Sequence, residues 1–375
     1  MTPELSLYDL GQVVSGSKEL GKIMDRANEK YNNSAWKFYC DKLDPQPIDE
    51  WVKYVDTDET EVRASVLSLN SKRPVRGVSG AEKYFGNLLR MGHAFTLDAK
   101  DFYELRKLGY HGDGMIDAYI NKYVNKSAAM IQGIHSEINN MVWQGLSTGK
   151  IVFDANNNPD GILMTKDLQI PAENKMCCKH ASYTWWSDEY DPIQDLARLR
   201  DKAREKGKIV DHFEMRKETY QRLISHPLVL SRFTNYANLS AGVAVTMYAT
   251  DQIWARIRET DNLPDILVID ELSMHEENGI AVSSPKAFKE KTVVLRSSAP
   301  SFDLVNTPSI NLDDRNPATI TTEIDNKFIT IQKEFRSDPM AEITSFESIN
   351  FTVPKDPTAI FILNAGKAAS NGQGI

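Results

Sequence analysis

Hydrophobic and polar positions follow different rhythms along this chain, and each rhythm predicts a different element. The clearest lies between Asp113 and Thr148. Apolar residues fall there at Ile116, Tyr119, Ile120, Tyr123, Val124, Met130, Ile131, Ile134, Ile138, Met141 and Val142, and no proline interrupts them. Steps of three and four trace one stripe along a helix. At 1.5 Å per residue that helix would be roughly 54 Å long, whereas an ordinary globular helix has about 11–12 residues. Its far ends need neighbours to cover them, so the pattern points to an extended or assembling protein.

Directly after the helix, GKIVFDANNNPDGILMTKDLQI reads as a hairpin. Ile151, Val152 and Phe153 form one arm, and Ile162, Leu163 and Met164 begin the other. Asn156 through Gly161 supply the turn chemistry. In WWSDEYDPIQDLARLRDKAREKG, Asp191 is placed to cap a helix whose first residue is Pro192. Leu196, Leu199 and Ala203 give that helix an inner face, and Gly207 ends it. Residues 209–260 read as mainly helical with a strand or two, followed by short strands at 266–270 (ILVID) and 288–295 (FKEKTVVL). Farther on, Ile324, Phe328, Ile329, Ile331 and Phe335 suggest a strand, and 342–363 one or two more. The block from about 190 to 320 thus lies between segments that could pair with each other, an inserted-domain layout.

The region before the long helix is less regular. Residues 4–42 read as broken helical pieces, with Leu20, Ile23, Met24 and Ala27 on one stripe and glycines at 11, 16 and 21. Such an arm needs a partner surface to become ordered. Val62, Ala64, Val66 and Leu69 alternate with polar residues, a strand signal. SKRPVRGVSGAEKYFGN then predicts a strand pair with an exposed cationic tip.

Charge narrows the options. The 375-residue chain carries 44 basic and 52 acidic side chains, a net −8. That balance argues against affinity gained by neutralising phosphates. It suits a protein that sits near nucleic acid without holding it. Cys40, Cys177 and Cys178 form no disulfide framework and read as free thiols of a reducing compartment. The N-terminus, MTPELSLYDLGQ, lacks a basic-then-apolar signal, and no apolar run is long enough to span a membrane.

Candidate chemistry is sparse. GVSGAEKYFG does not fit the dinucleotide fingerprint, and neither GxxxxGK[ST] nor GxSxG occurs. Cys177, Cys178 and His180 could begin a metal site, but a CCxH cluster lacks the usual ligand spacing. His135 reads as a packed or interface histidine. Asp270 and Glu271 end a strand, where acids commonly serve solubility, and no nucleophile or base accompanies them. Trp185, Trp186 and Tyr190 read as an interface or core anchor rather than a base-stacking platform, because few cations lie beside them. No catalytic residue, cofactor or metal is expected, which moves the balance toward structure or binding.

Four passages, in their order and spacing, resemble the lambda-type major capsid proteins of tailed phages. GKIVFDANNNPDGILMTKDL stands where that family has its hairpin. WWSDEYDPIQDLARLRDKA is similar to the lead into its axial domain. DILVIDELSMHEENGIAVSSPKAFKEKTVVLRSS is similar to a strand–turn–strand passage, and KEFRSDPMAEITSFESINFTVPKDPTAIFIL to the closing strands. The resemblance covers about residues 50–365. It implies the Hong Kong 97-like capsid fold, of α+β class, with an N-terminal arm (1–50) and an extended loop (51–100). A peripheral domain (101–190) would carry the spine helix (113–148) and hairpin (149–171). An axial domain (191–325), peripheral return strands (326–365) and a flexible tail (366–375) would follow.

The implied function is that of a major capsid protein, which self-assembles into the icosahedral head shell around the double-stranded DNA of a tailed bacteriophage or prophage. It implies no enzyme and no cofactor. The implied place is the virion, after assembly in the bacterial cytoplasm. Implied partners are further copies as hexamers and pentamers, a scaffold or protease, and portal and decoration proteins. DNA would be enclosed but not specifically bound, and no membrane is involved. At the loop tip, Lys72, Arg73 and Arg76 read either as a solvated turn or as cations that dock on acids of an adjacent subunit. Two other readings stand beside this one. One is an encapsulin-like compartment shell; the other is a hydrolase with an inserted domain, which would need a deep pocket with convergent acids.

Overall fold

The computed structural model describes residues 34–56, 81–110, 115–158, 161–236, 249–270, 274–277, 280–283, 286–313 and 319–369. The chain forms two compact units. One is built from the chain up to Val52 with Phe85–Asn139 and Asp303–Val353. The other is built from Asn140–Phe302 and the chain from Pro354, with Lys53–Tyr84. The class is mixed α+β, as expected.

The long helix runs from Met115 to Thr148, 34 residues without a break. Val124, Ile131, Ile134, Ile138, Met141, Val142 and Leu146 on its stripe are all buried. It ends because Gly149 takes a left-handed φ of 72° and its N–H returns to the Gly145 carbonyl at 2.9 Å, a conformation glycine adopts without a Cβ clash. Gln144 then ties the helix end to the hairpin, its side-chain oxygen accepting from the Val152 N–H at 2.7 Å. The hairpin pairs Lys150–Phe153 with Met164–Asp167 in antiparallel register.

The first unit holds a six-stranded sheet. Its order is Cys40–Lys42, Phe302–Thr307, Met340–Pro354, Ile329–Ser337, Thr319–Ile324, and Leu89–Asp98 also pairs with Met340–Pro354. The strand Met340–Pro354 is buried over most of its 15 residues. Where the sequence suggested one strand over 324–335, there are two, Thr319–Ile324 and Ile329–Ser337. The turn between them holds Asp325, Asn326 and Lys327 at φ of 54°, 56° and 62°. Asp and Asn tolerate this left-handed region, and Lys42 secures it, donating to both the carbonyl and the carboxylate of Asp325 at 2.9 Å.

The second unit holds a five-stranded sheet in the order Lys175–Cys177, Phe361–Asn364, Thr292–Arg296, His212–Arg216, Asp265–Ile269. Alternation sorts its residues. Phe213, Met215, Val293, Leu295, Phe361 and Leu363 join one apolar core with the helices Pro192–Glu205, Lys217–Ser225, Pro227–Tyr236 and Thr250–Asp261. Glu214 and Arg296, at alternate positions, form a fully buried ion pair at 2.7 Å. The helix Pro192–Glu205 starts as the sequence expects: Asp191 accepts from the Ile193 N–H at 3.0 Å and Pro192 is the first helical residue. Gly207 follows at φ 70°.

Candidate assembly surfaces

Lys72, Arg73 and Arg76 lie outside the described residues, as do the alternating segment 62–69 and most of the arm, residues 1–33. The base of the loop that bears the three cations is described. Glu50–Asp56 pairs with Ala81–Asn87. Trp51 stacks on Phe351 with ring centroids 6.2 Å apart, and the Leu88 N–H donates to the Asp49 carbonyl at 2.8 Å. Val52 and Phe85 at this base are 51% and 68% exposed.

The described start of the chain is clamped to the long helix through His135. The Trp36 N–H donates to Asn139 Oδ1 at 2.7 Å, and its indole donates to His135 Nδ1 at 3.3 Å. The His135 ring packs against both Trp36 and Phe328, with centroids at 5.9 and 6.0 Å, and those two rings lie 6.5 Å from each other, a three-ring cluster. Burial, reinforced by the charges of Lys37 and Lys42, drives its pKa down to about 3. The ring is therefore neutral, and Nδ1 is the acceptor. Sequence reasoning placed His135 as a packed histidine; the structure adds its partners, which lie about a hundred residues before and nearly two hundred after it.

The motif WWSDEYDP folds around one buried carboxylate. Asp195 is fully buried and accepts from the Tyr190 hydroxyl at 2.6 Å, the Trp185 indole at 3.2 Å and the Lys179 N–H at 3.2 Å. Arg198 sits 2.9 Å away. Burial still raises its pKa. Trp185 and Tyr190 are thus core anchors. Trp186 points outward, 38% exposed, with Lys291 Nζ 4.8 Å from its ring centroid. Its cation comes from a distant segment and was invisible to local reading.

The remaining candidates carry no shared chemistry. Cys177 and Cys178 are buried, and burial pushes the Cys178 thiol up to about 12. His180 is exposed and its Nδ1 accepts from the Ser182 and Tyr183 N–H groups. Among the described residues no three metal-ligating side chains converge. Asp270 faces Lys217 at 3.6 Å, and Glu271 lies outside the described residues. No described helix is long and apolar enough to cross a membrane.

Solved structures give loose likenesses. One is a protein described as the capsid protein of a prophage in E. coli CFT073, with 14% identity over 76% of this chain and 80% of that one, at a TM-score of 0.47. A second is a phage-related protein from Bordetella bronchiseptica RB50, with 12% identity over 92% and 97% and a TM-score of 0.45. A third is the mature capsid of bacteriophage PhiM1, with 8% identity over 90% and 88% and a TM-score of 0.44. No curated protein matches the chain. The profile of the family described as phage major capsid protein E, by contrast, matches residues 50–262. That span is more than half of the sequence and includes the loop base, the long helix, the hairpin and the WWSDEYDP motif: the chain belongs to the phage major capsid protein E family.

Proposed function

We propose that this chain is the repeating subunit of the icosahedral head shell that encloses the double-stranded DNA of a tailed phage or prophage, built on the Hong Kong 97-like fold in its lambda-type form. Family membership over residues 50–262 carries this reading. The exposed apolar groups at the loop base and the uninterrupted helix support it, because both gain from neighbouring copies. Negative-stain microscopy of the purified, concentrated protein tests it. Uniform shells, tubes or hexamers are the expected result, and a monomer at every concentration and salt would refute it.

Within this reading, residues 1–50 are the arm and 51–100 the extended loop over a neighbouring subunit. Residues 101–190 with 326–365 are the peripheral domain, 191–325 the axial domain, and 366–375 the tail. Copies meet as hexamers and pentamers in the host cytoplasm, with a scaffold or protease, a portal and decoration proteins as partners. The role is structural. Lys72, Arg73 and Arg76 dock on acids of the adjacent subunit; each exposed pair contributes about 0–1 kcal/mol, and symmetry repeats it. Reversing all three charges is expected to impair shell assembly while circular dichroism stays unchanged. Normal shells from that variant would remove the docking role and leave the capsid reading intact.

A further inference from the structure

We propose that the face formed by Lys179, His180, Tyr183, Trp186, Lys291 and Lys367 is a docking surface for the acidic, proline-bearing segment Asp44–Glu50 of a second copy of this chain. The inference rests on the shell reading, which supplies the second copy.

The face is assembled from three distant stretches. The Cys178 N–H donates to the Lys367 carbonyl at 3.0 Å, and the Ala369 N–H to the His180 carbonyl at 2.9 Å, which lays 366–369 beside 178–180. The Ala365 N–H donates to the Lys291 carbonyl at 2.8 Å, and the Trp185 N–H to the Ala365 carbonyl at 3.2 Å. Lys291 is thereby held over Trp186. His180 stacks on Tyr183 with centroids 4.5 Å apart. Tyr183 is 41% exposed, and the three lysines are exposed too. Among the described residues no carboxylate holds any of them. Nearby acids are engaged elsewhere: Asp188 with Arg222 at 2.8 Å and Glu290 with Arg216 at 3.3 Å. Glu189 is exposed in the same loop, so the face is cationic at its aromatic core rather than throughout.

The proposed occupant has the complementary chemistry. Asp44, Pro47, Ile48, Asp49 and Glu50 are exposed, Ile48 at 55%, and no cation among the described residues holds the three acids. The segment is preorganised. The Leu43 N–H donates to the Leu304 carbonyl at 3.0 Å, the Gln46 N–H to the Asn306 carbonyl at 2.8 Å, and the Asp49 carbonyl accepts from Leu88. Pinned backbone lowers the ordering cost of association. Proline-bearing segments dock on aromatic grooves, and opposed charge sets register and discriminates partners. In a chain of net −8, three lysines without carboxylate partners around exposed aromatics select such an acidic segment.

Two charge reversals and their combination test this. Lys179→Glu, Lys291→Glu and Lys367→Glu together should raise the subunit concentration needed for assembly about tenfold, the worth of a few exposed pairs. Asp44→Lys, Asp49→Lys and Glu50→Lys should do the same, and the six changes combined should restore assembly. Wild-type assembly by the lysine set, or no rescue in the combination, overturns the proposal; loss of DNA retention without rescue would identify a nucleic acid as the occupant. A second measurement is independent of charge. Bismaleimide cross-linking of Ile48→Cys, Ser182→Cys shells made from isotopically mixed subunits should link 48 to 182 between copies, and no such link overturns the inference. Failure of the unsubstituted chain to form shells would instead sink the shell reading.

Discussion

A buried carboxylate is stable only while its donors surround it. Asp195 meets that condition through Tyr190, Trp185, Lys179 and Arg198. Asp195→Ala would leave the Trp185 indole N–H and the Tyr190 O–H without an acceptor, at about 1–3 kcal/mol for each buried donor, whereas the Lys179 N–H keeps the Tyr190 oxygen and Arg198 keeps the Cys177 carbonyl. Thermal melting of the purified subunit should show a correspondingly large fall. Asp191→Ala removes a helix cap, about 1 kcal/mol, together with the ion pair to Arg232, so its loss should exceed that of the cap alone and stay below that of Asp195→Ala. His135 predicts a pH effect with a definite sign. Its folded pKa, near 3, lies below the ordinary 6.5. Between those values the unfolded chain binds a proton that the folded chain refuses, so stability is full above pH 6.5 and declines as pH falls. Melting temperature should drop between pH 6.5 and 5, ahead of most carboxylate titration, and His135→Gln should flatten that slope.

At the scale of elements, packing decides the outcome. Ile134 and Ile138 have no exposed surface in the middle of the long helix, so each truncation to alanine should cost about 2–5 kcal/mol by denaturant unfolding. Gly92 is stricter. A Cβ there would stand 2.4 Å from the Phe346 carbonyl oxygen, which is backbone and cannot swing away, so Gly92→Ala must push the strands Leu89–Asp98 and Met340–Pro354 apart. That variant should unfold at lower denaturant than Ile134→Ala or lose the fold. These elements also mark how far the sequence could be read. The long helix, the hairpin, the Asp191–Pro192 start and the Gly207 stop were legible because each is encoded within a few turns of chain. The turn at Asp325–Lys327 is hard to read because apolar residues flank it closely, Ile324 before and Phe328 and Ile329 after; Asp-Asn and the change of alternation from even to odd positions were the available signals. The Lys291–Trp186 contact could not be read locally: the two residues are about a hundred positions apart.

At the scale of the whole molecule, sheet order was the least accessible feature, since strands pair with partners far along the chain. Net charge was accessible, and it sets a further expectation. An acidic subunit should show no salt-sensitive affinity for duplex DNA in a titration at low ionic strength. Tight binding that weakens steeply with added salt would count against a shell that encloses DNA without holding it.

The place of Phe361–Asn364 has a consequence for timing. This short strand lies inside the five-stranded sheet, antiparallel to Thr292–Arg296 on one side and parallel to Lys175–Cys177 on the other. A growing polypeptide on the ribosome carries the flanking strands long before it carries the one that joins them. The second unit's sheet therefore cannot close until synthesis has passed residue 364. Any contact that depends on the closed sheet of the second unit has to wait for that strand.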